Sequence, residues 1–208
     1  MNPLRSLAPT VDSDVLAVLA RTHGQLTGAA VQRLAGRSYA QVRHALHRLA
    51  EQGIVDAQRH GQAVSYSLNR EHVLAAVIEA AAAASSEAER RLRATLLDWS
   101  PQPAAVILFG SFARRDGGND SDIDLLIVRD EAVAEDDQAW TVQRYDLATL
   151  LERWTGNPVQ ILELGAVELR GAITRDDALI AAVRDDGRVL AGPDLRELLS
   201  AATETELA

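Results

Sequence analysis

Apolar residues recur at helical spacing through the first fifty positions, alternate briefly, return to helical spacing, and then form two short unbroken runs. Val11, Val15, Leu16, Val18 and Leu19 predict an amphipathic helix over Val11–Arg21, with Asp12 and Asp14 in its first turn and His23-Gly24 ending it. A second helix is expected over Leu26–Leu34, with Thr27 as its cap. After the turn Ala35-Gly36-Arg37, Ser38 and Gln41 make a capping box for a third helix. Its apolar side is Val42, Ala45, Leu46 and Leu49, and Gln52-Gly53 stops it. Two runs, Ile54–Arg59 and Ala63–Leu68, joined by His60-Gly61-Gln62, predict a β-hairpin. Met1–Thr10, punctuated by proline, reads as a loose arm.

The second half begins with a long helical stretch, Asn69–Trp99, with Ser85-Ser86 as its candidate break. Its Ala-rich face reads as a dimer surface, because small side chains let helices approach closely. Ser100–Pro103 is a linker. Ala105–Phe109 is expected as a buried strand ended by a tight turn at Gly110-Ser111. Asp122-Ile123-Asp124 heads a second apolar run, Leu125–Val128. Alternation along a strand sends Asp122 and Asp124 to one side and Ile123 and Leu125 into the core. Arg129–Asp137 reads as a solvated, mobile acidic connection. A helix over Gln138–Thr155, a turn at Gly156-Asn157-Pro158, a strand over Val159–Leu164 and a helix over Ala166–Ala182 follow. Gly187–Ala191 is a short apolar segment, Pro193 starts a last helix, and Thr203–Ala208 is a frayed tail.

Two neighbouring carboxylates repel each other, and a cation between them removes the repulsion. A Gly-Ser turn beside them offers N–H groups and a hydroxyl to a phosphate. Divalent cation plus phosphate is the equipment of nucleotidyl transfer. The bland alternative is a surface Asp pair at the head of an ordinary strand.

Composition narrows the picture. Across 208 residues, 47% hydrophobic content supports a real core, while 4% aromatic content leaves Leu, Val, Ala and Ile to build it. The absence of cysteine excludes disulfides, thiolate metal sites and cysteine nucleophiles, and fits a reducing, cytoplasmic location. No membrane span is expected, since Val73–Ala84 is flanked by Glu71, Glu79 and Glu87. The net charge of −9 is uneven: residues 1–70 carry eight arginines and four acids, whereas residues 71–208 carry 13 arginines and 26 acids. A slightly basic half joined to an acidic half suggests two domains with different partners.

Three short helices followed by a hairpin is the order of a winged helix-turn-helix. The string SYAQVRHALHRLAEQGIVDAQRHGQAVSYSLN resembles the recognition helix and wing of ArsR/MarR-like bacterial regulators. The DNA-binding candidates are Ser38, Tyr39, Gln41, Arg43, His44, His47 and Arg48 on the third helix, with Arg59 and His60 at the wing tip. The histidine pair His44 and His47 reads as DNA-facing, because no carboxylate is placed to complete a metal site.

The stretch AAVILFGSFARRDGGNDSDIDLLIVR resembles the polymerase-β-type nucleotidyltransferase superfamily, and most closely its minimal branch, whose signature is Gly-Ser, a spacer, then Asp-x-Asp. That resemblance implies Mg²⁺ or Mn²⁺ held by Asp122 and Asp124, and a nucleoside triphosphate bound by Gly110, Ser111, Arg114 and Ser121. The catalytic candidates are Asp122, Asp124 and Ser111. Arg115 stands where relatives commonly carry glycine. The family's third acid comes from the next strand, where this chain has Gln160. An amide is neither a general base nor a strong metal ligand, and Glu163 should face the other way.

The expected fold class is α+β with two domains. A winged helix-turn-helix occupies 1–70, a linking and dimerisation helix 71–100, an α/β nucleotidyltransferase core with a small mixed sheet 101–195, and a terminal helix and tail 196–208. The expected function is a DNA-binding regulator fused to a nucleotidyltransferase. Minimal nucleotidyltransferases often act as antitoxins, which implies a toxin-like protein as partner and acceptor beside operator DNA and a second copy of the chain. The alternatives are a regulator that senses nucleotide or partner without turnover, and an antibiotic-type modifying enzyme.

Overall fold

The computed structural model describes residues 2–114, 121–175 and 177–198. The described chain divides between Ser85 and Ser86 into two compact units. The stretch expected to link the two halves is therefore shared between them.

In the first unit, helices α1 (Leu4–Leu7) and α2 (Val11–Ala20) are followed by the two-residue strand β1 (Leu26–Thr27). Then come α3 (Gly28–Ala35), α4 (Tyr39–Glu51), strands β2 (Val55–His60) and β3 (Ala63–Leu68), and α5 (Ala75–Ala82). The sheet is antiparallel, in the order β1-β3-β2. Val15, Leu19, Val31, Val42, Leu46, Leu49 and Leu68 share one core. Thr27 caps α3 by accepting the Ala30 N–H at 3.2 Å, a contact worth about 1 kcal/mol. Ser38 and Gln41 form the full capping box of α4.

Three expectations for this unit change. Leu26 and Thr27 are strand, because they pair with Tyr66 and Ser65 rather than opening a helix. His60 pairs with Ala63, so the hairpin turn shrinks to Gly61-Gln62, with Gly61 at φ +63°. The arm is packed rather than loose: Leu4 is buried, and Asn2 donates to Asp14 at 3.0 Å. Asp14 also accepts from Arg37 at 2.7 Å, so one buried carboxylate fixes both the arm and the turn before α4.

The second unit comprises α6 (Ala84–Leu97) from Ser86 onward, β4 (Ala105–Phe109), α7 (Gly110–Arg114), β5 (Ile123–Arg129) and α8 (Gln138–Thr155), then β6 (Val159–Gly165), α9 (Ala166–Thr174), α10 (Ala178–Asp186) and β7 (Arg188–Ala191). The four-stranded sheet has the order β6-β5-β4-β7. β5 runs parallel to β6 and antiparallel to β4, and β7 runs antiparallel to β4. This is a small mixed sheet.

Alternation splits the strand residues between two layers. Ile123, Leu125 and Ile127 pack with Leu92, Leu96, Trp140, Leu147 and Leu151. Leu126 and Val128 pack on the other side with Leu169, Ile180 and Val183. Burying each such side chain contributes about 1.5–3 kcal/mol. In the first turn of α6, Arg90 and Arg91 hold the Glu87 carboxyl down to about 2.

Here too the details shift. Gly110 opens a helical turn rather than a simple tight turn. The helix expected over Ala166–Ala182 is two helices, the second capped by Asp177, which accepts the Leu179 N–H at 3.2 Å. The acidic connection is tied down: Val133 is buried, Arg129 donates to its carbonyl at 2.6 Å, and Asp137 caps α8. The frayed tail expected over Thr203–Ala208 lies outside the described residues. Among the described residues, no helix is long and apolar enough to cross a membrane.

Candidate active site

Strand β4 is apolar and buried from Ala105 to Leu108, and its antiparallel pairing with β5 sets Asp124 opposite Phe109, the last residue of β4. The carboxylate is thus delivered to the point where β4 stops. Gly110 follows at φ +73°, a region that penalises any side chain. A Cβ there would also lie 2.3 Å from Oδ2 of Asp124. The position needs glycine for its backbone and again for the acid it faces. Helix α7 then carries Ser111 and Arg114, with Phe112 and Ala113 buried beneath.

Asp122 stands immediately before β5, and the backbone on both sides of it is anchored. Asn157, only 2% exposed, donates from Nδ2 to the Ser121 carbonyl at 2.9 Å. The Ile123 N–H donates to the Pro158 carbonyl at 2.8 Å. The turn before β6 therefore fixes the start of β5, and Ser121 enters the site's construction through its backbone.

Burial, then Asp122, then Asp186 push the Asp124 carboxyl above the usual carboxylate range, while Arg114 opposes the shift. A cation near Asp122 and Asp124 would relieve that penalty. Among the described residues, no group of three or more histidines, aspartates and glutamates is placed to hold a metal ion by itself. Two carboxylates completed by substrate phosphate oxygens are a set that Mg²⁺ accepts, so the residues fit Mg²⁺ or Mn²⁺ in complex with a nucleotide.

The third-acid question has a geometric answer. Gln160 pairs with Asp124 across β5 and β6, so the amide occupies the neighbouring position on that strand. Glu163 pairs with Ile127 and turns to the opposite side. There it accepts from Arg129 at 2.9 Å and from the Trp140 indole at 3.0 Å, and it pairs with Arg144. It is spent on joining the sheet to α8 and does not replace Gln160.

A different carboxylate reaches the site. Asp186, the last residue of α10, accepts the Gly110 N–H on Oδ1 at 3.2 Å and pairs with Arg114 through Oδ2. Sequence reasoning missed both Asp186 and Asn157. The signal for Asp186 was an acid at a helix C-terminus, where cations are favoured. Asn157 carried no signal beyond its turn. Arg115 lies outside the described residues.

In the first unit, Gln41, Arg43, His44, His47 and Arg48 are exposed on α4, opposite the buried Val42, Ala45, Leu46 and Leu49. Tyr39 is exposed at the start of the helix, and Arg59 and His60 are exposed beside the hairpin turn. Not all of these groups are uncommitted. Ser38 and Gln41 are engaged in the capping box, Arg48 is held by Asp12, and His47 lies 3.3 Å from Glu51.

Residues 94–184 match the family described as polymerase beta, nucleotidyltransferase. A toxin–antitoxin crystal structure with AMP-PNP is similar at 23% identity, covering 57% of this chain and 86% of that chain with a TM-score of 0.39. Two mutant crystal structures of the toxin–antitoxin MntA-HpeT are similar at 21% identity, each over 57% of this chain. They are covered over 86% and 85% of their own lengths, with TM-scores of 0.38 and 0.37. No curated protein matches the chain.

Proposed function

Taking residues 94–184 as a nucleotidyltransferase domain, we propose that the second unit binds a divalent-metal complex of a nucleoside triphosphate and transfers its nucleotidyl group to a hydroxyl. The observation that carries this reading is Asp124 lying directly against Gly110, with Asp122 beside it and Arg114 on the adjoining helix. Asp122 and Asp124 hold the metal, which when bound neutralises phosphate charge and polarises the phosphate oxygens. The Ser111 hydroxyl and nearby N–H groups bind the triphosphate, and Arg114 offsets the charge that builds on the departing group. The acceptor oxygen bonds to the α-phosphorus, the bond to the α–β bridging oxygen breaks, pyrophosphate leaves, and the acceptor proton passes to water. The acceptor class we favour is a hydroxyl on a toxin-like protein partner, as the resemblance to minimal nucleotidyltransferases implies.

We also propose that the first unit is a winged helix that reads DNA with α4 and touches phosphate with Arg59 and His60. Its support is the donor-rich exposed face of α4 behind a fully apolar buried one. Since Asp12 holds Arg48, Arg43 carries the larger share of contact. In a gel shift on the DNA upstream of the protein's own coding sequence, Arg43→Ala should weaken binding more than Arg48→Ala. Affinity should fall with salt in proportion to the phosphates contacted. Equal binding by both variants and the wild type would refute the assignment. A homodimer in a reducing cytoplasm fits this reading, with the exposed Val73, Leu74 and Val77 as its contact, since Ile78 and Ala82 of α5 are spent on the core of their own unit.

Gln160 beside Asp124 favours a second reading, in which the site holds metal and nucleotide without turnover and biases the DNA-binding state. One assay decides between them. The protein is incubated with Mg²⁺ and each labelled nucleoside triphosphate, with and without a co-purified partner. Pyrophosphate release that is lost in Asp122→Ala and Asp124→Ala supports transfer. Nucleotide binding lost in the same variants, with no pyrophosphate under any condition, supports the sensor.

A further inference from the structure

Asp186 is a carboxylate that the proposed reaction does not use, and it lies just beyond the residues matched to the nucleotidyltransferase family. Its position is unfavourable in three ways. It ends a helix, where the peptide dipoles repel negative charge. Only 9% of its side chain is exposed, so it has lost most of its hydration. It is also close enough to Asp124 for the two charges to oppose each other. Two donors offset these costs, one for each oxygen: the Gly110 N–H and the Arg114 guanidinium. Both donors belong to the segment that carries the proposed phosphate contacts.

We propose that Asp186 is a positioning residue for nucleotide binding, fixing the Gly110 turn through one oxygen and aiming the Arg114 guanidinium at the phosphates of a Mg²⁺–nucleoside triphosphate through the other. The inference rests on the nucleotidyltransferase reading of the same site. Other roles fit the geometry less well. Asp186 does not join Asp122 and Asp124 in a metal-holding group, and its two oxygens are engaged by the Gly110 N–H and the Arg114 guanidinium.

The test is calorimetric titration of the full chain with each of the four ribonucleoside triphosphates in Mg²⁺. Asp186→Asn keeps the shape and removes the charge that aims Arg114, so its dissociation constant should rise about tenfold. Arg114→Ala should lose a similar factor, and the Arg114→Ala, Asp186→Asn double variant should bind no more weakly than Arg114→Ala alone. Asp185→Asn, the exposed acid next door, should bind as the wild type does. Additive losses in the double variant, or wild-type or tighter binding by Asp186→Asn, would overturn the role. If Asp186→Asn melts below the assay temperature, Arg114→Lys decides the matter. It keeps the charge without the planar fork, so full affinity in that variant overturns the proposal and a comparable loss supports it. A wild type that binds none of the four nucleotides refutes the nucleotide reading and this role together, whereas wild-type binding insensitive to Asp186 refutes only the role.

Discussion

At the scale of the residue, Asp124 concentrates the tension between stability and chemistry. Burial and two neighbouring acids raise its folded-state pKa, so the fold is favoured by the protonated form. That stability is fully present below the unfolded carboxylate value, about pH 4, and is lost as pH rises through the higher folded value. Asp124→Asn should therefore raise the melting temperature of the metal-free protein at pH 7, and the gain should vanish in acid. Adding Mg²⁺ with nucleotide should raise the wild-type melting temperature and leave Asp124→Asn unmoved. A melting temperature for Asp124→Asn at or below the wild type across this range would contradict the electrostatic account. The sequence announced Asp122 and Asp124 because strand alternation and a Gly-Ser turn are local patterns. It did not announce Asp186, whose partners Gly110 and Arg114 lie 76 and 72 positions away. Contacts at that range depend on how α10 packs, which no window of sequence contains.

At the scale of the element, β5 depends on a latch from outside itself. Asn157 holds the Ser121 carbonyl from the turn before β6, and the two strands then run in register from Ile123 with Val159 to Arg129 with Gly165. Removing the amide leaves a part-buried carbonyl without its donor, at a cost of about 1 kcal/mol. Asn157→Ala should lower the melting temperature and weaken nucleotide binding, since it loosens the residue before Asp122. Unchanged nucleotide affinity in a destabilised variant would reduce the latch to a purely structural part. The elements themselves were largely legible: the capping box at Ser38, the buried run of β4 and the helix over Gln138–Thr155 follow from caps and periodicity. Misreadings fell where tertiary pairing overrode local preference. Leu26 looked helical but pairs with Tyr66, whereas the break at Asp177 is local, an unrecognised cap that begins a new helix.

At the scale of the whole molecule, each unit builds its core from its own stretch of chain. Leu46→Ala in the first should cost that unit about 2–5 kcal/mol and leave Mg²⁺–nucleotide binding unchanged, as one titration beside one melt will measure. Loss of binding in the folded variant would mean that the units are energetically coupled. The charge asymmetry between the halves was plain from composition, whereas the small mixed sheet was expected from the resemblance that Gly110-Ser111 and Asp122-Ile123-Asp124 carry. The pairing between Arg114 and Asp186 also bears on how the protein is made. A nascent chain emerging from the ribosome exposes the Asp122-x-Asp124 segment well before α10 has been synthesised. Until then the acid pair exists without the group that orients its arginine. Competence to take up nucleotide should therefore arrive late in translation, and chains stalled before residue 186 should fold most of the sheet while remaining weak binders.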